Sequence, residues 1–227
     1  MCGRYTLTAN AETLQTTFQL ETVEGYAPRY NIAPTQNVPI ITHEQRRALT
    51  WVRWGLIPSW AKDPSIGATL INARAETLEE KPSFRDSFRR RRCLIPADGF
   101  YEWAKDGALK KPYYIYRRGR ALFAFAGLWD AWKNPQGEWV RSCTIITTEP
   151  NDLIRPLHHR MAVMLTPEQA DAWIDEQASP EDLHGLLCAH PSEDLALHEV
   201  SPRVNSAQAE GPQLIEPFQT PQQRDLF

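Results

Sequence analysis

Eighteen prolines are scattered through this 227-residue chain. Proline lacks a backbone N–H and breaks helix interiors, so the chain is built from short elements and many loops, not a helical bundle. Eight tryptophans point the same way, because aromatic residues favour strands. With 42% hydrophobic and 23% charged residues, there is enough apolar matter for a real core. No inner stretch reads as a linker, and there is no internal repeat. The expected fold is therefore α+β: a single domain with a β-rich core, a mixed, largely antiparallel sheet or barrel, flanked by short helices. Its expected span is 1–205, followed by a loose tail rich in Gln and Pro over 206–227.

Local patterns fill in this outline. Tyr5–Leu7 reads as a strand, and Asn10 caps a helix whose apolar face is Ala11, Leu14 and Phe18. Residues 29–34 read as a loop. Val38–Thr42 and Ala48–Trp54 are strand-like, joined by a polar turn at 43–46. Trp54 to Trp60 is an aromatic loop broken by Gly55 and Pro58. Ser83–Arg90 is a short amphipathic helix through Phe84 and Phe88. Strands are expected at 93–96, 99–103, 112–116, 122–126 and 142–147. Thr148 caps a helical turn that ends before Pro156, and 162–165 is a strand. Thr166–Gln169 is a capping box with proline at the first helical position. Ser179–Pro180 opens another helix, and 195–200 is a last strand.

No apolar run approaches the roughly 20 residues that span a bilayer, and no signal peptide is expected, because the first residues lack a basic region followed by an apolar stretch. Cysteines at 2, 93, 143 and 188 show no paired spacing. Free thiols in a reducing cytoplasm are expected. Charge is uneven: residues 1–120 hold 19 Lys and Arg against 12 Asp and Glu, and residues 121–227 hold 6 against 16. A basic front half suits an anionic partner, nucleic acid above all. Arg85 and the run Arg89–Arg92 belong to this excess, or simply form a solvated helix end.

Cys2 follows an initiator methionine, which is usually trimmed before a small residue. A chain beginning at Cys2 carries an α-amine and a thiol on adjacent carbons. The amine titrates near ~7.7–8.0 and the thiol near ~8.5, so roughly a tenth of the amine is reactive at neutral pH. Such a 1,2-aminothiol condenses with an aldehyde to an imine, and the thiol then closes a five-membered thiazolidine. A chance cysteine at position 2 is the bland alternative. Further polar candidates lie at strand ends and loops: Arg4, Asn72, Arg74, Glu102, His158 and Arg160. Asn72 equally fits an ordinary turn. Glu102, between Tyr101 and Trp103, is either on a solvent face or buried for a purpose. His158 and His159 are adjacent and expected to point apart. No third ligand sits at a useful spacing, so no metal is expected.

Six motifs occur in order: Met1-Cys2-Gly3-Arg4, Arg29-Tyr30-Asn31-Ile32-Ala33-Pro34, Trp54-Gly55-Leu56-Ile57-Pro58, Asn72-Ala73-Arg74-Ala75-Glu76, Gly99-Phe100-Tyr101-Glu102-Trp103 and His158-His159-Arg160-Met161. On these the chain resembles the SOS response-associated peptidase family, proteins that shield abasic sites in single-stranded DNA, over residues 1–205. Ala162 departs from the family, whose members often have proline there. The resemblance implies that the Cys2 amine forms a Schiff base with the aldehyde of an open abasic sugar, and that the Cys2 thiol closes the thiazolidine. It implies that Glu102 shuttles protons at the amine, that His158 acts as acid and base on the sugar, and that Asn72 orients the sugar or the amino terminus. Arg4, Arg74 and Arg160 would hold flanking phosphates. Trp54 and Trp60 would stack on or wedge between bases, at ~1–3 kcal/mol per base, or else pack in the core. The peptidase label refers to removal of whatever precedes the cysteine, here Met1, by the chain itself. The implied partner is single-stranded DNA containing abasic sites. The protein would act on it as a monomer without a cofactor, in the cytoplasm and at the nucleoid during DNA damage.

Two other readings stay open. Met-Cys-Gly at a chain start also resembles glutamine amidotransferases, whose cysteine attacks a side-chain amide. The basic half would then have no purpose. The other reading is a plain single-strand binder without covalent chemistry.

Overall fold

Thirteen strands and four short α-helices follow one another in this computed structural model, which describes residues 2–106 and 109–218, with the backbone alone at 105, 106 and 109. In chain order they are β1 (Tyr5–Leu7), α1 (Ala11–Phe18), β2 (Arg29–Ile32), β3 (Asn37–Thr42), β4 (Thr50–Trp54), β5 (Asn72–Arg74), α2 (Arg85–Arg90), β6 (Arg92–Ala97), β7 (Gly99–Asp106), β8 (Leu109–Arg117), β9 (Phe123–Lys133), β10 (Trp139–Thr148), β11 (Met161–Ala162), β12 (Met164–Leu165), α3 (Pro167–Ile174), α4 (Pro180–Leu186) and β13 (Leu195–Glu199). Strands β10, β4, β3, β6 and β9 pair in turn, and β9 pairs back onto β10, so these five close into a ring. Closure removes the exposed edges an open sheet would present. Strand β10 runs parallel to β4 and β5, whereas the neighbours of β9 are antiparallel to it. A second sheet, ordered β13-β8-β7-β1-β2, holds the amino-terminal strand between β7 and β2. This single α+β domain with a mixed, barrel-like core is the architecture expected from the sequence.

The two sheets meet through aromatic rings. Tyr5 of β1 lies edge-on to Trp54 of β4 and Phe125 of β9, with centroids 5.4 and 5.7 Å apart. Phe100 of β7 meets Phe125 at 6.0 Å. Such edge-to-face pairs add about 0.5–1.5 kcal/mol each beyond area burial. They fix β1, and hence the amino terminus, against the closed ring. Proline is accommodated where a strand has one neighbour to spare. Pro96 of β6 pairs with Ala124 of β9, while β3 reaches β6 only at Cys93 and Leu94. The missing N–H of Pro96 therefore falls outside the ladder.

Several elements differ from the sequence reading. Residues 29–32 form strand β2 rather than a loop, paired with β1 through Tyr5↔Ile32. Strand β9 runs on to Lys133, well past Ala126. Its residues are buried almost throughout, so the alternation that marks a one-sided strand is missing. Asn151, not Thr148, caps the turn before Pro156, its Oδ1 accepting the Ile154 N–H at 3.0 Å. The tail expected to be loose is ordered over 206–218. Leu214 is fully buried, and Asn31 Nδ2 donates to the carbonyls of Ser206 and Ala209 at 2.9 and 2.8 Å. Few apolar residues suffice because the tail is held by polar contacts to β2; residues 219–227 lie outside the described residues. No helix among the described residues is long and apolar enough to cross a membrane.

Candidate active site

Strand β1 fixes where Cys2 lies. Tyr5 pairs with Phe100, and the Tyr101 N–H donates to the Arg4 carbonyl at 2.9 Å. Continuing that antiparallel register brings Glu102 level with the residues just ahead of Arg4. On the other side Asn72, the first residue of β5, donates from Nδ2 to the Cys2 carbonyl at 2.9 Å. Asn72 is itself set by the core, because Trp54 Nε1 donates to the Ile71 carbonyl at 2.9 Å. Cys2 is fully buried, and Glu102 is only 3% exposed. The Asn72 Oδ1 is buried without a hydrogen-bond partner among the described residues. An acceptor left open beside an amino terminus is an atom waiting for a donor.

Burial raises the Glu102 carboxyl from the ordinary 4.5 to about 7, against the pull of the chain's amino-terminal charge and the Trp103 backbone. Burial, and then the Glu102 charge, push the Cys2 thiol far above its usual range, although the amino-terminal charge and the Arg4 backbone oppose this. The thiol is therefore held as S–H in the chain that carries Met1.

The raised Glu102 value has a stability consequence. Between about pH 4.5 and 7 the unfolded chain loses this proton and the folded chain keeps it, so the contribution is full at low pH and fades as pH rises. Glu102→Gln should remove that loss and be more stable than the native protein at about pH 8, by on the order of 3 kcal/mol. Urea unfolding of both proteins across this pH range checks it. A difference that does not grow between pH 4.5 and 7 would contradict the raised value.

Strand β10 gathers the second half of the site at one end. It pairs with β5 at Thr147↔Arg74 and with β11 at Thr148↔Met161. Arg160, just before β11, grips both carboxylate oxygens of Glu76 at 2.9 Å each and donates to the Thr147 carbonyl at 2.6 Å. This bidentate fork fixes the arginine in plane. The Arg160 backbone N–H donates to His158 Nδ1 at 3.0 Å, so a neutral His158 carries its proton on Nε2. The rings of His158 and His159 stack at 4.3 Å, contrary to the expectation that adjacent histidines point apart. A bend at His159 breaks the extended backbone that would separate them.

The SOS response associated peptidase (SRAP) family model matches residues 1–207. The chain belongs to the SRAP family. A relative from Bacillus subtilis (strain 168), named abasic site processing protein YoqW, is 46% identical over 222 residues, 95% of this chain and 99% of the relative. Abasic site processing protein HMCES of Xenopus tropicalis is 33% identical, over 85% of this chain and 67% of its own. A crystal structure of a protein from Bacteroides thetaiotaomicron shares the fold at a TM-score of 0.87 and 29% identity, over 96% of this chain and all of that one.

Not every candidate residue of this SRAP chain sits where the sequence reading put it. Trp54 is fully buried against Tyr5 and closed to any base, because the strand that ends in it lies in the closed ring. Trp60 remains 56% exposed. Arg4 gives Nη1 to Asn31 Oδ1 and the Val204 carbonyl, both at 2.7 Å, and so ties β1 to β2 and the segment after β13. Arg74 is exposed at the end of β5. Glu76 had no assigned role, and no local pattern reveals a partner 84 residues away. Trp54→Ala should cost about 3–5 kcal/mol of stability, as large aromatic deletions in a core do. Trp60→Ala should stay within about 0.5 kcal/mol. Denaturant unfolding of the two variants checks this, and a Trp54→Ala protein of native stability would contradict its place in the core.

Proposed function

We propose that this SRAP protein processes abasic sites in single-stranded DNA by joining the open sugar to Cys2 as a thiazolidine. The observation that carries the reading is the fixing of Cys2 between the Asn72 amide and a buried Glu102 that titrates near neutrality. Met1 must first leave by hydrolysis, which frees the Cys2 α-amine. The His158 Nε2–H then hydrogen-bonds to the sugar ring oxygen as the hemiacetal opens: the ring C–O bond breaks, that oxygen gains a proton from water, and the hydroxyl on the same carbon gives its proton to water, leaving an aldehyde. The Glu102 carboxylate takes a proton from the ammonium, and the free amine attacks the aldehyde carbon. The carbonyl oxygen departs as water, taking one proton from the attacking nitrogen and the other from Glu102, and a protonated imine remains. The Cys2 S–H then adds across C=N: a C–S bond forms and the proton passes to nitrogen. One water is lost overall.

This order follows because ring closure by the thiol needs the imine carbon that only the attack of the amine creates. Asn72 Oδ1 supplies the acceptor that keeps the amine aimed. Arg74 and the exposed part of Arg4 serve as phosphate contacts, and Trp60 as the exposed ring beside the strand. Arg160 braces His158 through its backbone, and its guanidinium is shared with Glu76. A denaturing gel of protein mixed with abasic single-stranded DNA tests the reading. A band that resists denaturation without reductant supports it. Equal binding of intact and abasic strands with no such band would favour a non-covalent binder.

A further inference from the structure

We propose a second single-strand contact surface: the groove between α2 and the β9–β10 hairpin carries the DNA strand onward from the Cys2 site. This rests on reading that site as one for single-stranded DNA. The groove has a volume of about 710 Å³ and is lined by Ser59, Arg89, Arg90, Arg91, Trp129 and Trp139, together with three acids. One of the acids is already engaged. Asp130 pairs with Arg91 at 3.3 Å and accepts from the Ser59 N–H at 2.9 Å, and Glu176 faces His43 at 3.8 Å. Glu44 is the third. Arg89 and Arg90 are exposed and have no ion-pair partner among the described residues.

Aromatic surface accompanies these free cations. Trp139 is 66% exposed, with the Lys133 ammonium 5.7 Å from its ring, and the Arg141 guanidinium lies 5.5 Å from the Trp129 ring. Guanidinium groups on phosphates and an open ring under bases are how strands are held without sequence preference. A helix end also favours cations, but it gives no reason for an exposed tryptophan opposite them.

One loop of the chain links the groove to the Cys2 site. The loop from Gly55 to Ala61 starts near the site, where the Gly55 N–H meets the Cys143 carbonyl and the Leu56 N–H meets the Leu70 carbonyl, two residues before Asn72. Gly55 holds φ at +129°, and a Cβ there would lie 2.6 Å from the Gly67 carbonyl oxygen, so the turn requires glycine. The loop ends at the groove, where Ser59 is pinned to Asp130 and Trp60 stands exposed beside it. Along β10 the eight residue steps from Thr147 back to Trp139 span roughly 26 Å.

The test uses full-length protein and undamaged oligothymidine strands of about 4 and about 16 nucleotides, spanning the usual range of single-strand sites. Fluorescence anisotropy at several salt concentrations reads affinity. The native protein should bind the long strand more tightly. The Arg89→Gln/Arg90→Gln protein should bind the long strand with a log–log salt slope smaller by about 1.4, for two lost phosphate contacts. Trp139→Ala should weaken the long strand on the order of tenfold. Neither change should alter the short strand. Native affinity and slope for the long strand in the double variant would overturn the proposal, as would equal native affinity for both lengths. Arg89 and Arg90 are exposed, so the double variant decides the question even if Trp139→Ala fails to fold. Failure of the Cys2 chemistry is read separately, as absence of a crosslink between native protein and a short abasic strand.

Discussion

Cys2→Ala protein should still form a link to abasic single-stranded DNA that borohydride traps, and should form none that survives without it. Alanine is small, so Met1 is still trimmed and the α-amine remains. That amine condenses with the aldehyde, and the imine hydrolyses again because no thiol is present to close the ring. The loss is all-or-none on a denaturing gel run without reductant. In the chain that still carries Met1, burial holds the Cys2 thiol as S–H. A durable unreduced crosslink from Cys2→Ala would remove the thiazolidine from the mechanism.

A chain that keeps a segment ahead of Cys2 should bind abasic DNA nearly as well as the trimmed form and fail to crosslink. In the extended chain the Cys2 nitrogen is an amide, whose lone pair is delocalised into the carbonyl. The thiol alone gives only a reversible hemithioacetal. Arg74 and Trp60 are untouched by the extension, so affinity for the strand persists while the chemistry stops. Intact-mass spectrometry of the protein before mixing establishes which amino terminus is present. Efficient stable crosslinking by protein shown to keep its leader would shift the reactive group elsewhere. Cys93, though buried, and then a lysine would come next.

Much of the fold was legible because local chemistry set it. Asn10 caps α1, Thr166 and Gln169 form their capping box, and β3 and β10 carry strong strand patterns. What escaped was set by distant contacts. Residues 29–32 become a strand only because β1 offers them a partner and Asn31 binds the tail at Ser206 and Ala209. The buried run of β9 hides its period because both faces are covered. At the candidate site the residue types were visible, but their states were not. Trp54 and Trp60 stand in one aromatic loop in the sequence, and folding buries the first and exposes the second. Arg160 looked like a free phosphate contact, yet its fork closes on Glu76. The raised Glu102 value arises from burial, which no spacing of residues along β7 reports.

The most direct test is intact mass analysis of the product of native protein and an abasic strand, followed by digestion and sequencing of the modified peptide. The expected product is the chain lacking Met1 plus the oligonucleotide less one water, with the adduct on Cys2 and no gain of hydrogen after borohydride. A mass that rises on borohydride treatment, or an adduct on any other residue, would contradict a thiazolidine at Cys2.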